Sequence, residues 1–108
     1  MSKLYFAYGA NTNIDGMAYR CPAAKVVGSI VLPDYRLVFR GVADIEWKRD
    51  TEVHGVVWEI TEKCEQSLDR FEGYPHLYGK SSFPVQMEDG KVQDVMFYKM
   101  NRKGYALP

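Results

Sequence analysis

The sequence is short of cysteine and histidine and carries no excess charge, and each shortage excludes a class of protein. Its two cysteines, Cys21 and Cys64, are too few and too far apart for a small secreted domain held by disulfides, so we expect free thiols. Together with His54 and His76 they lack the paired spacing of a zinc site, so no metal is expected. The 14 basic and 14 acidic residues give a net charge of zero, which leaves no uniform field to attract nucleic acid.

Long hydrophobic runs are also lacking. No window approaches the length of a membrane span, and the apolar run near the start of the chain is too short for a signal peptide. A chain of 108 residues, 46% of them hydrophobic, is long enough for one core and too short for two. We therefore expect a single cytoplasmic domain over residues 1–108, monomeric or a small homo-oligomer, with no nucleic-acid or membrane partner.

Signals for strands outnumber those for helices. Pro33 and Asp34 are typical of a turn between two strands, and the alternating charges of residues 46–52 indicate a solvated turn. Asp89 and Gly90 predict a two-residue hairpin loop. The run at 52–60 has apolar residues on both faces, which indicates a strand covered on each side. Apolar or alternating runs predict strands at residues 3–8, 25–32, 35–40, 52–60, 83–88 and 91–99.

Two stretches have helical character. Residues 14–19 predict a short helix that Pro22 prevents from continuing far. The better helix covers residues 62–72, with Thr61 as its N-cap, Gly73 as its terminator and an apolar stripe of Cys64, Leu68 and Phe71. These elements predict the α+β class, with a small mixed β-barrel-like sheet and one or two packed helices.

The turn after the first predicted strand is one place where chemistry could occur. Tyr8, Gly9, Ala10 and Asn11 put a glycine where the chain bends sharply, and successive backbone N–H groups in such a bend can converge on an anionic oxygen. The alternative is an ordinary strand-to-helix turn that uses glycine for its backbone angles.

Glu72 is the second candidate. It lies in the last turn of its helix, where the negative end of the macrodipole disfavours a carboxylate, and about 40° around the axis from Leu68, at the flank of the apolar stripe. Both effects predict a raised pKa, in the range useful for proton transfer. The alternative is a surface glutamate paired with a nearby cation such as Lys80.

Five segments taken together resemble the γ-glutamylcyclotransferase-like family. Their order and spacing match over nearly the whole chain, and a Y-G-x-N turn, a G-V-x-W strand and an L-D-x-x-E-G helix end are specific in combination. The segments are YFAYGAN at 5–11, RCPAAKVVG at 20–28, YRLVF at 35–39, VHGVVWEIT at 53–61 and LDRFEGYPHLYGK at 68–80.

The resemblance implies a reaction that needs no cofactor. The α-amine of a γ-glutamyl amine or amino acid attacks its own γ-carbonyl, which releases the attached amine and leaves 5-oxoproline. Glu72 matches the catalytic glutamate of the family, and the turn at Gly9 matches the loop that binds the γ-glutamyl group through backbone amides. The residues implied to bind substrate are Tyr5, Phe6, Ala7, Tyr8, Gly9, Ala10, Asn11, Tyr78 and Tyr98.

Two departures from the family pattern bear on this expectation. Ala10 stands where the loop usually has serine, and the sequence ends at Pro108, where many relatives continue through a tyrosine-bearing segment. Both predict a weaker or altered activity. They also favour a second hypothesis, a non-enzymatic binding module that keeps the pocket for a small carboxylate-bearing ligand or a protein partner.

Overall fold

The computed structural model describes residues 2–9, 12, 14–41, 43–87 and 89–101. The strands of this part of the chain form one mixed sheet in the order β2-β3-β1-β5-β4, in which β1 and β5 are parallel and the other neighbours are antiparallel. The elements, in chain order, are β1 (Ser2–Ala7), α1 (Ile14–Arg20), β2 (Lys25–Phe39), β3 (Ala43–Thr61), α2 (Glu62–Glu72), β4 (Tyr78–Gln86) and β5 (Val92–Met100).

The α+β class is confirmed, but the sheet is not closed into a barrel. Strands β2 and β4 are its two edges, and no backbone pairing joins them within the described residues. The sheet is curled, however, so that aromatic rings of strands that are not neighbours in the sheet contact one another. The Tyr35 ring of β2 lies 6.1 Å from that of Phe97 on β5, and the Phe6 ring of β1 lies 5.6 Å from that of Phe83 on β4.

Each face of the sheet has its own core, because alternate side chains of a strand point to opposite faces. On β3, Trp58 and Ile60 pack beneath the helices, whereas Val53 and Val57 pack in the hollow of the curled sheet. The prediction that this strand is covered on both sides is therefore confirmed. The helix side includes Met17, Cys64 and Leu68, and the hollow includes Phe6, Leu32, Ile45, Val95 and Phe97.

The predicted turn at Pro33 and Asp34 is wrong, since β2 runs through it. Asp34 has a φ of 64° and the pairing with β3 shifts there, so residues 48–51 of β3 bulge out between two regular stretches of ladder. The Asp34 carboxylate accepts the Asp50 N–H at 3.1 Å and stabilises the bulge. The charged segment 46–52 accordingly belongs to a mostly exposed stretch of the long strand β3 and not to a turn. The bulge accounts for the residues that predicted a turn on each strand.

Helix α2 begins and ends where its sequence predicts. The Thr61 hydroxyl accepts the Cys64 N–H at 3.1 Å, and Gly73 ends the helix in the left-handed conformation with a φ of 68°. Cys64 and Leu68 are buried as predicted. Phe71 is 47% exposed, so its place in the buried stripe is wrong; its ring stacks under the Arg20 guanidinium at 4.0 Å.

The predicted hairpin of β4 and β5 is confirmed, but its two-residue loop is wrong. The strand register ends at Gln86 and Val92, so residues 87–91 connect the strands. The Met87 N–H donates to the Lys91 carbonyl at 2.8 Å, and Gly90 has a φ of 87°. Gly90 is the one left-handed residue among the described residues of this loop, whereas a two-residue turn of the predicted kind needs two in succession.

The prediction of two free thiols is wrong, because Cys21 and Cys64 form a disulfide. Their Cα atoms are 5.2 Å apart although 43 residues separate them in sequence. Cys21 directly follows α1 and Cys64 lies in the first turn of α2, so helix packing brings them together, which spacing alone does not reveal. The cytoplasmic location loses the support of free thiols and stays a prediction. No helix in the described residues is long and apolar enough to cross a membrane.

Candidate active site

A cavity of about 300 Å³ opens where the end of β1 meets the carboxyl end of α2. It brings together the two features that the sequence singled out, the turn at Gly9 and the side chain of Glu72, although 63 positions separate them along the chain. Most of its wall is aromatic. The lining residues are Tyr5, Phe6, Tyr8, Gly9, Ala43, Phe71, Glu72, Leu77, Tyr78 and Tyr98.

The turn after β1 is held by its own hydrogen bonds. The Gly9 carbonyl accepts both the Thr12 N–H at 3.1 Å and the Thr12 hydroxyl at 2.8 Å. Gly9 is not in the left-handed region, so the predicted need for unusual backbone angles is wrong. Glycine serves here for close approach, since a Cβ atom would lie 3.3 Å from the Cβ atom of Ala43. The predicted binding residues Ala10 and Asn11 lie outside the described residues.

Glu72 is half-buried at the end of α2, and burial raises the pKa of its carboxyl to about 7. The direction is the predicted one. The positive charge of Arg20 acts against the effect of burial and lowers the pKa. Lys80, the cation named as an example in the alternative hypothesis, does not pair with Glu72, because its ammonium pairs with Glu65 at 2.6 Å and with Asp69 at 2.9 Å.

The hydroxyl groups of three tyrosines in the wall all donate to protein atoms. Tyr8 donates to the carbonyl of Tyr98 at 2.6 Å, and Tyr98 donates to the Asp69 carboxylate at 2.6 Å. Tyr78 donates to the carbonyl of Ala43. Burial raises the pKa of Tyr8 and of Tyr98, and the Asp69 carboxylate raises that of Tyr98 further, so both remain neutral phenols.

Comparison with known proteins identifies the family. The family described as "Gamma-glutamyl cyclotransferase, AIG2-like" matches residues 5–107. The chain belongs to this family. Two curated family relatives named gamma-glutamylcyclotransferase are each 31% identical to it: the Bos taurus protein, over 92% of this chain and 60% of its own length, and the Homo sapiens protein, over 99% and 64%. The chain thus spans less than two thirds of the length of these relatives.

Solved structures agree with this assignment to the gamma-glutamyl cyclotransferase family. A structure named gamma-glutamyl cyclotransferase superposes with a TM-score of 0.80 at 28% identity, over 94% of this chain and 68% of that one. A Homo sapiens protein described as uncharacterized superposes with a TM-score of 0.81 at 31% identity, over 93% and 67%. The fold of the γ-glutamylcyclotransferase-like proteins, expected from the resemblance, is therefore confirmed.

The predicted site residues and the cavity agree in part. Seven of them line it, namely Tyr5, Phe6, Tyr8, Gly9, Glu72, Tyr78 and Tyr98. Ala7 does not; its side chain is buried in the core beneath the helices.

Sequence reasoning missed five residues. Ala43, Phe71 and Leu77 line the cavity, Asp69 accepts a hydrogen bond from Tyr98 of its wall, and Asp44 directly follows Ala43. Asp69 could have been found, since it belongs to the L-D-x-x-E-G motif. Asp44 gave no local signal, although it is completely buried and accepts the Met100 N–H at 2.9 Å.

The cavity is suited to proton transfer on a small polar molecule. One carboxyl whose pKa lies near neutrality shares a cavity with Gly9 inside an aromatic wall. Within the described part of the chain, no three His, Cys, Asp or Glu side chains are grouped so that they could hold a metal ion.

Proposed function

We propose that this protein converts a γ-glutamyl amine or γ-glutamyl amino acid into 5-oxoproline and the free amine or amino acid. One observation carries the proposal: the Glu72 carboxyl, whose pKa is about 7, lines the same cavity as the turn at Gly9. Membership of the gamma-glutamyl cyclotransferase family supports it, because relatives that carry this name cover nearly the whole chain.

Glu72 would carry the proton between the two nitrogen atoms of the reaction. The α-amine attacks the γ-carbonyl carbon, and its new C–N bond closes a five-membered ring. The carboxylate of Glu72 takes a proton from the attacking nitrogen and then gives it to the departing nitrogen, whose C–N bond breaks. A pKa of about 7 suits both steps, since neither protonation state is strongly favoured at neutral pH.

The turn at Gly9 would stabilise the negative oxygen of the tetrahedral intermediate. Backbone N–H donors contribute about 3 kcal/mol each in acyl-transfer sites of this kind. Alanine has the same backbone N–H group as serine and lacks only the hydroxyl. The aromatic wall would hold the flexible γ-glutamyl chain with its amine close to its own carbonyl, which lowers the entropic part of the barrier.

The test is to incubate purified protein with γ-glutamyl compounds that differ in the leaving amine, and to follow 5-oxoproline by mass spectrometry. Glu72→Gln should lose activity by a factor of about 10² or more, because a positioned general acid-base contributes about 10²- to 10⁴-fold. Glu62→Gln, at the exposed first residue of α2, is the matched control and should react at the native rate.

Two outcomes would contradict the proposal. Equal rates of 5-oxoproline formation with the native protein and Glu72→Gln would exclude Glu72 as the catalyst. Binding of the compounds without any 5-oxoproline above the protein-free blank would favour the second hypothesis, the non-enzymatic binding module.

A further inference from the structure

Two tyrosines of the cavity wall, Tyr8 and Tyr98, offer acceptors and not donors to a bound molecule. A neutral phenol has one proton, and the protons of Tyr8 and Tyr98 already go to the Tyr98 carbonyl and the Asp69 carboxylate, each at 2.6 Å. Each phenol oxygen can therefore present only lone pairs. The wall that surrounds Glu72 thus favours a ligand group that is rich in N–H donors.

The residues that line the cavity point the same way; the Arg20 guanidinium, which stacks on Phe71, is not one of them. Among the described residues that line it, Glu72 is the one carboxyl, and none is a lysine, arginine or histidine. Six of the lining residues are aromatic, and the faces of aromatic rings attract cations. A cationic ligand group is therefore better matched to this wall than an anionic one.

Asp69 is the residue that sets the direction of the Tyr98 hydroxyl. It lies one turn before Glu72 on α2, and its carboxylate also receives the Lys80 ammonium at 2.9 Å. This ion pair holds the carboxylate as an acceptor, so the Tyr98 proton stays directed toward α2. Without that carboxylate the hydroxyl could rotate and donate into the cavity.

We infer that Asp69 is a positioning residue that keeps the Tyr98 oxygen as a hydrogen-bond acceptor for the α-ammonium group of the ligand. The site consequently selects γ-glutamyl compounds whose α-amine is unmodified. This inference rests on the proposed function, since it assigns a place to the amine that attacks.

The test measures binding without turnover. Glu72→Gln protein is titrated by calorimetry with γ-glutamylmethylamide and with its deamino analogue, in which hydrogen replaces the α-amine. The quantity of interest is the Kd of the deamino analogue divided by the Kd of γ-glutamylmethylamide. A hydrogen bond to a charged group corresponds to about a ten- to hundredfold change in affinity, so the deamino compound should bind weaker by at least that factor.

Variants of Asp69 and Tyr98, made in the Glu72→Gln protein, identify which residues cause the selection for the α-amine. Tyr98→Phe and Asp69→Leu should each lower the ratio about tenfold, whereas Asp69→Asn should retain it, because the amide oxygen can still accept from Tyr98. Glu65→Leu is the matched control, since Glu65 pairs with Lys80 in the same way but makes no hydrogen bond to Tyr98. General loosening of the site would weaken both ligands and leave the ratio unchanged.

The outcomes separate this inference from the proposed function. A ratio near one in the Glu72→Gln protein, or an unchanged ratio in both Tyr98→Phe and Asp69→Leu, overturns the inference even if the native protein forms 5-oxoproline. The ratio in the Glu72→Gln protein is measured without any change at Asp69 or Tyr98, so this test remains valid even if Asp69→Leu does not fold. Discrimination without 5-oxoproline formation upholds the inference and overturns only the enzymatic function.

Discussion

The raised pKa of Glu72 predicts that this residue weakens the fold at neutral pH and above. Its pKa rises from 4.5 to about 7 on folding, so the folded protein binds the proton more tightly than the unfolded chain. The neutral acid is tolerated in the cavity, so the contribution of Glu72 to the free energy of unfolding is fully present below about pH 4.5. That stability is lost as the pH rises from 4.5 through 7, when the half-buried group must ionise.

The size of the effect follows from the shift. Each pKa unit corresponds to about 1.4 kcal/mol, which gives about 3 kcal/mol for the whole shift. Because Glu72 is only half-buried, water screens part of this energy, and we expect about 1 to 2 kcal/mol. Glu72→Gln cannot ionise, so it should be more stable than the native protein by this amount at pH 8.

Urea unfolding of both proteins between pH 4 and pH 8.5 measures the difference directly. The stability gain of Glu72→Gln should be smallest near pH 4, grow as the pH rises and level off above pH 7. Glu62→Gln supplies the baseline for removal of a carboxyl from the exposed start of the same helix. A gain that is independent of pH, or that shrinks as the pH rises, would refute the assignment of a raised pKa to Glu72.

Three further predictions concern charge, close packing and the disulfide. Arg20→Met removes the charge that lowers the pKa of the proposed catalytic carboxyl, so the rising limb of kcat/KM against pH should move to higher pH; a limb that stays or moves down contradicts this. Gly55→Ala would place a Cβ atom against the Ala7 carbonyl oxygen of β1 and the Phe6 ring, which should cost about 1 to 3 kcal/mol in urea unfolding, whereas Gly28→Ala, with open space around it, should cost less than 1 kcal/mol. Reduction of the Cys21–Cys64 disulfide opens a loop with a sequence separation of 43, which should lower the free energy of unfolding by about 2 to 4 kcal/mol; equal urea midpoints with and without reductant would exclude that role.

The parts of the fold that depend on local chemistry could be predicted from the sequence. Helix α2 is the best case, because Thr61 supplies the cap and Gly73 the left-handed terminator within the segment itself. Coverage of strand β3 on both sides could be predicted because apolar residues occupy both faces of its own run at 52–60. In each case the signal and its consequence lie within a few residues of each other.

The features that were missed depend on contacts between distant segments. The bulge at residues 48–51 forms because Asp34 on another strand accepts its N–H, and the disulfide forms because α1 packs on α2. Burial of Phe71 was predicted from its helical position, but the apolar side that it faces is a cavity mouth and the Arg20 side chain. Local patterns contain no information on such partners.

The candidate site lies between these two cases. Glu72 and Gly9 could each be singled out locally, from a helix end and from a strand end. That they line one cavity followed only from the family resemblance, and the support that Asp69 gives to Tyr98 required coordinates. The hydrogen-bond direction of a hydroxyl is set by its neighbours in space, so no sequence pattern in this chain indicates it.

The two capped ends of α2 also restrict which changes of length this chain can accept. The helix leaves β3 without any loop at Thr61 and stops at Gly73, so a cap fixes each end. One inserted or deleted residue between them would turn Glu72 by about 100° around the axis and shift it by about 1.5 Å. Substitutions along the exposed side of this helix should therefore be accepted far more readily than insertions or deletions, even at positions that touch neither the cavity nor the core.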